Sequence, residues 1–486
     1  MKKLKLPVVF IFIFGLFTSV SMEAKDGYKI QMNFTDVQKD AKIFLCHYFG
    51  KGGTVFKDDS TTLKAGQGIM QSSEKIVGGI YLLLFKDQSA NMEIILQNGD
   101  NFSITTQKKD LVPNLKLKGK SENQLFYGYQ RFLIDYGKGY NKLKTAYAQA
   151  KTKKDSTVIG EQMKEKGKEL INYRKGIIKR NPKSFLATLF KALAEPEVPK
   201  YKDWPLNEEG KKDSSFPSLY YKSHYWDGYD FQDDRLIYTP MYEPKLKNYM
   251  NKWVIPMPDT VKKECDILLK KAEGTTETFK YTLWYLTRWA ETSKIMGMEE
   301  VFVYLVEDYY MKGKATWLKP EQLKKYEDRA KAIAPNMIGQ PAMDLKLRNM
   351  ANQFVPLSSI KAKYKLLVFW EADCGHCKKE LPKIDSLYKK ELYKYGLQIM
   401  AVESSNEVEK WKKVVKEKKL RFGWIHLYDP DRSTKFRSFY DVYVTPTIYL
   451  LDENDTIIGR RVNHSNILEV IKFHEKKQKD KKEDNK

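Results

Sequence analysis

Cys374-Gly375-His376-Cys377 lies between two patterns that leave the chain around it few conformations. Before it, Tyr364 to Trp370 is an apolar run interrupted only by Lys365, the length of a buried strand. After it, Cys377 to Tyr393 carries a helical pattern. A strand that turns into a helix at two cysteines three apart reads as a redox pair. Unpaired N–H groups and the macrodipole at the helix start favour a thiolate. Cys374 is therefore read as the exposed nucleophile. Cys377, one turn inside, is read as the thiol that resolves a mixed disulfide. His376 can donate to the thiolate or carry positive charge beside it.

The surrounding residues extend the α/β reading. Leu397 to Val402, Trp424 to Tyr428 and Thr447 to Leu451 read as further strands, and Val408 to Val415 as a helix. Ile457 and Ile458 continue after a turn at Glu453-Asn454-Asp455. Strands alternating with helices predict a βαβ sheet over residues 336–474.

Two other zones precede it, which makes the chain multidomain. Residues 25–118 alternate short apolar runs with turn signals and predict an all-β, sandwich-like domain. Within it, Asn98-Gly99-Asp100 between two such runs predicts a hairpin. Residues 119–335 predict an α-helical middle domain: Leu125, Phe126, Tyr129, Phe132 and Leu133 share one helix face. Asn181-Pro182-Lys183-Ser184 predicts a break and restart. The aromatic stretch from Thr278 to Met311 reads as core. The acids between His224 and Arg235 lack the spacing of a calcium loop.

The chain has four cysteines, which excludes a disulfide-dense scaffold. Cys46 and Cys265 are single and distant from the pair, so a zinc site lacks its second pair of ligands; no metal and no cofactor are expected. Residues 1–24 read as a cleaved signal peptide: Lys2, Lys3 and Lys5 precede an apolar run from Pro7 to Val20, then a small residue at Ala24. The expected location is the periplasm or cell envelope. A formal charge of +24 then suits anionic surfaces or acidic partners rather than nucleic acid. Residues 475–486 are almost all charged or polar and predict a disordered tail.

The segment Phe369-Trp370-Glu371-Ala372-Asp373-Cys374-Gly375-His376-Cys377-Lys378-Lys379-Glu380-Leu381-Pro382 resembles the active site of the thioredoxin family. It is most similar to secreted thiol-disulfide oxidoreductases related to the cytochrome-maturation reductases. Gly339 to Leu345 resembles the entry to that fold's extra N-terminal hairpin. Val444-Thr445-Pro446-Thr447 resembles its cis-proline loop. The whole chain also resembles exported Gram-negative proteins that join a β-rich domain, a helical middle and a thioredoxin module. The resemblance implies a cis Thr445–Pro446 bond, a Cys374–Cys377 redox disulfide, and substrate peptide held at Thr445, Pro446 and Trp370.

Two departures stand out. Ordinary thioredoxins carry a buried Asp where this chain has Val368; the cytochrome-maturation branch uses a Glu at the position of Glu380. A carboxylate buried near Cys377 could accept its proton during resolution. Asp373 stands where many relatives carry Trp, and its charge is expected to oppose a Cys374 thiolate.

The expected activity is exchange of disulfides with protein thiols, with a membrane or periplasmic redox partner. The alternative is a cell-envelope binding or assembly protein in which the redox module is secondary. A thiol peroxidase ranks last, because Glu371 occupies the place of its Thr.

Overall fold

The computed structural model describes residues 26–405, 407–417, 420 and 423–484. The signal-like segment 1–24 lies outside the described residues. Among the described residues, no helix is long and apolar enough to cross a membrane. The chain gathers into two compact units. The first runs to Glu195 and adds Trp226–Asp230 and Arg235–Tyr242; the second holds the rest.

Among its described residues the first unit has eight strands: β1 (Tyr28–Phe34), β2 (Ala41–Tyr48), β3 (Val55–Leu63), β4 (Gln67–Ser72), β5 (Gly79–Phe85), β6 (Asn91–Leu96), β7 (Asp100–Thr106) and β8 (Lys116–Lys120). They form two four-stranded sheets, β4-β1-β7-β8 and β3-β2-β5-β6. Alternation aims Ile30, Met32 and Phe34 of β1 inward. Phe34 meets Phe85 of the other sheet edge-on at 5.0 Å. Cys46 is buried in β2.

The hairpin expected at Asn98-Gly99-Asp100 is instead a corner between sheets: β6 and β7 enter different ones. The edges of β7 are taken by β1, parallel from Tyr28↔Asp100, and by β8. The Asn98 side chain fixes the corner. It accepts from the N–H groups of Gly27 (3.3 Å) and Ile76 (2.9 Å) and donates to the Ile76 carbonyl (2.7 Å).

The helices α1 (Asn123–Gln149), α2 (Lys153–Arg180) and α3 (Phe185–Leu193) follow in this unit. They begin the helical zone read from the sequence, yet they pack with the strands. Asn123 exchanges two hydrogen bonds with the backbone of Ile95, at 2.9 and 2.8 Å. The Glu122 carboxylate accepts from the N–H groups of Phe185 and Leu186, satisfying the start of α3. The break at Asn181–Ser184 falls as expected, with Ser184 capping α3 through Ala187.

The second unit begins with α4 (Phe216–Ser223), α5 (Tyr242–Lys252), α6 (Pro258–Lys271), α7 (Glu277–Thr292), α8 (Met298–Leu305) and α9 (Pro320–Ile333). Cys265, Tyr281, Leu286 and Phe302 are buried among these helices. The acidic segment acts as a cap here: Asp234 accepts from the N–H groups of Thr276, Glu277 and Thr278 at the start of α7.

The α/β part follows: β9 (Lys346–Asn349), β10 (Phe354–Pro356), β11 (Tyr364–Trp370), α10 (Gly375–Lys390), β12 (Leu397–Glu403), α11 (Val408–Glu417), β13 (Trp424–Tyr428), α12 (Phe436–Phe439), β14 (Thr447–Leu451), β15 (Ile457–Arg460) and α13 (Ile467–Asp484). The sheet order is β10-β9-β13-β12-β11-β14-β15, with β11, β12 and β13 parallel and β14 antiparallel to β11. Every residue of β11 is buried because both its faces are covered. Leu366, Val368 and Trp370 pack with Cys377, Leu381 and Ile384 of α10 and with Ile467 and Ile471 of α13. Leu367 and Phe369 pack on the other face with Phe436, Tyr440 and Tyr449.

The disordered tail expected at 475–486 is helical through Asp484. Its Lys, Glu and Gln residues are good helix formers. Lys476 with Asp480 and Lys479 with Glu483 also stand at i,i+4 with opposite charge. A polar composition therefore extends α13 beyond its packed first turns.

Candidate active site

Cys374 is the N-cap of α10, at the carboxyl end of β11. Its extended backbone aims its sulfur back at the helix start, where the Cys377 N–H donates to it at 3.1 Å. The Cys374 thiol donates to the Thr445 carbonyl, also at 3.1 Å. The Thr445–Pro446 peptide is cis, in the loop that leads into β14. The turn between strand and helix and the loop before β14 thus meet at one sulfur. Cys374 is partly exposed, Cys377 is buried, and both are free thiols.

The two thiols are pushed in opposite directions. Burial raises the Cys374 pKa, but hydrogen bonds with the Cys377 thiol and the Thr445 side chain, and from the backbone N–H groups of Cys377 and His376, bring it below the ordinary value. Burial pushes Cys377 up to about 12, and the neighbouring Cys374 sulfur adds to the rise. The partly exposed cysteine is therefore the more readily ionised of the two, and its buried neighbour the less.

The flanking residues fall differently from the expectation in several places. His376 is exposed, and it acts on Cys374 through its backbone N–H, a consequence of the helix start rather than of imidazole charge. The Asp373 carboxylate next to Cys374 is paired with two lysines. Lys410 of α11 and Lys378 hold its carboxylate and keep it below the usual range, so its charge is answered within the surface. Trp370 is 2% exposed, so it is not on the substrate surface. As the last residue of β11 it points to the face that α10 covers, where it packs against Cys377.

Glu380 is turned toward the segment after β15. It accepts from the His464 backbone N–H at 2.7 Å and meets His464 Nδ1 at 2.8 and 2.9 Å. Its carboxylate is only 17% exposed. Glu371, three residues before Cys374, bonds Arg437 at 2.6 Å, and that guanidinium also donates to the Ser404 carbonyl. Sequence reasoning missed His464, Lys410 and Arg437. Each lies well away from the cysteine pair along the chain, and no local pattern marks it.

Residues 338–460 match the AhpC/TSA family. Residues 162–336 and 28–126 match two domains of unknown function, DUF5106 and DUF4369. A thiol-disulfide oxidoreductase ResA of Bacillus cereus is 29% identical over 123 residues, covering 25% of this chain and 68% of the relative. The thioredoxin-like protein YneN of Bacillus subtilis is 32% identical over 124 residues, 24% of this chain and 68% of the relative. Among solved structures, a thioredoxin-like protein from Bacteroides caccae is 20% identical with a TM-score of 0.47, covering 58% of this chain and 98% of its own. A domain of a possible thiol-disulfide isomerase from Cytophaga hutchinsonii is 34% identical with a TM-score of 0.29, covering 30% and 98%. Through its C-terminal domain the chain belongs to the thioredoxin-like thiol-disulfide oxidoreductases.

Proposed function

We propose that this thiol-disulfide oxidoreductase is exported and exchanges disulfides with protein substrates through Cys374 and Cys377. The observation that carries this reading is the opposite shift of two adjacent thiols, down for Cys374 and up for Cys377. In the reducing direction, the Cys374 thiolate attacks one sulfur of a substrate disulfide. That S–S bond breaks, the other substrate sulfur leaves as a thiolate, and a mixed disulfide forms. Cys377 then gives up its proton and attacks Cys374 Sγ. The second substrate thiolate leaves, and the pair ends as a Cys374–Cys377 disulfide. The reverse sequence oxidises a substrate dithiol. A membrane or periplasmic thiol partner resets the pair by the same exchange.

Cys377 needs a proton acceptor when it attacks. Val368 cannot serve, and Glu380 stands one helical turn beyond Cys377. We assign Glu380 to that role, with His464 holding its carboxylate. Substrate peptide lies along Thr445 and Pro446. Export is supported by Lys2, Lys3 and Lys5 before the apolar run from Pro7 to Val20.

Single-cysteine variants test the exchange. Cys377→Ser is expected to accumulate mixed disulfides with substrates, and Cys374→Ser to accumulate none. The reverse pattern would overturn the assignment. Mass spectrometry of the native protein is expected to find the N-terminus near Lys25; retention of Met1 would contradict cleavage.

A further inference from the structure

The loop that carries Thr445 is held by the helical region as well as by its own sheet. Asp441 lies at its start with φ +53°, in the left-handed region that non-glycine residues rarely adopt. Its carboxylate is fully buried. Arg329 of α9 donates to one oxygen, and Arg460 of β15 donates to the other at 2.6 Å. The guanidinium of Arg329 also lies 3.5 Å from Glu291 of α7 and 5.3 Å from the centre of the Tyr443 ring. Seven residues further along, Asn336 donates to the Phe439 carbonyl. Beyond these anchors the loop turns outward: Tyr443 is 71% exposed and Val444 68%. Two exposed apolar side chains thus stand directly before Thr445, whose carbonyl touches Cys374.

A buried carboxylate beside the guanidiniums of Arg329 and Arg460, with that of Arg461 at 3.6 Å, is a poor way to gain stability, because buried charges lose water. It is a good way to fix one geometry, since the fork of an arginine matches a carboxylate in few orientations. Here the fixed geometry is a strained loop beside the reactive sulfur.

We propose that Arg329 is a positioning residue for disulfide exchange. By holding Asp441 and covering Tyr443, the helical region sets a substrate surface in which Tyr443 and Val444 receive an extended peptide segment with an apolar side chain next to its cysteine. This inference rests on the exchange reaction described above and gives the helices α7 and α9 a part in it.

The test compares two substrates on the full chain: a disulfide-linked peptide with a Leu or Phe beside its cysteine, and 2-hydroxyethyl disulfide, which is too small to reach Tyr443. The quantity read is the ratio of their second-order rate constants. Arg329→Ala is expected to lower that ratio roughly tenfold or more, as displaced binding groups do. Arg329→Lys, which keeps the cation but loses the planar fork, is expected to fall in between. Tyr443→Ser is expected to lower the ratio with Arg329 intact. A ratio unchanged in Arg329→Ala would overturn the proposal, whether both rates persist or both fall together. Wild-type protein that exchanges with neither substrate would instead sink the assignment of the Cys374–Cys377 pair.

Discussion

The Cys377 backbone N–H donates to the Cys374 sulfur across 3.1 Å, joining a partly exposed thiol of lowered pKa to a buried one raised to about 12. The difference follows from the backbone. Cys374 is the N-cap and meets the unpaired N–H groups of α10. Cys377 is one turn inside, against Trp370 and Leu381, where the charged form loses its water.

A pH dependence of stability follows for the reduced protein. A raised folded pKa contributes stability that is fully present below the unfolded value, about 8.5 for a cysteine, and is lost as pH rises through the folded value. Cys377 therefore contributes at neutral pH and loses that contribution between about 8.5 and 12. The lowered Cys374 has the opposite sign: its contribution is present above the unfolded value and is lost as pH falls through the folded one. Urea midpoints of reduced wild type are expected to fall more steeply above about pH 8.5 than those of Cys377→Ser. Parallel curves would show that Cys377 is not raised.

Lys410 is expected to tune Cys374 from a distance. Lys410→Ala removes the nearer of the two cations that answer Asp373, leaving only Lys378 against a carboxylate next to the thiol. The thiolate absorbance of Cys374 is expected to titrate at higher pH in the variant. The shift is expected to shrink in concentrated salt, since both partners are exposed. An unchanged titration at low salt would remove Asp373 from the electrostatics of the site.

Glu380→Gln is expected to slow resolution of the mixed disulfide while leaving its formation intact. The check is the pH profile of the resolving step in stopped flow. His464→Ala is expected to perturb the same step, because it removes the imidazole that meets the Glu380 carboxylate. Superimposable profiles for wild type and Glu380→Gln would leave Glu380 as a structural tie to His464.

Trp370→Ala is expected to act on stability rather than on substrate affinity. Removing a buried Trp costs about 3–5 kcal/mol, and Trp370 is 2% exposed in the core that holds Cys377. Chemical denaturation reads the loss. A variant with wild-type stability and weakened substrate binding would return Trp370 to the surface.

What the sequence discloses of this molecule is what is local. The run from Tyr364 to Trp370, the cysteine pair and the helix after it are contiguous, and pattern alone places Cys374 at a helix start. The family resemblance reaches Thr445 and Pro446 because they sit in a short motif. The partners that come from elsewhere are hidden: His464 is 84 residues from Glu380, and Arg329 is 112 from Asp441. Turn chemistry at Asn98-Gly99 is real, but which sheet each flanking strand joins is decided by β1 and by the Asn98 side chain. Composition misleads at 475–484, where charged residues suggest disorder although their spacing suits a helix.

Which sulfur reacts first decides the roles of the two cysteines. The fully reduced protein, alkylated with iodoacetamide for short times across pH 6 to 10 and mapped by mass spectrometry, reads this residue by residue. Cys374 is expected to be labelled first and with a midpoint below that of an ordinary cysteine, while Cys377, Cys46 and Cys265 stay protected by burial. Labelling of Cys377 ahead of Cys374, or of both at equal rates, would contradict the assignment of attacking and resolving thiols.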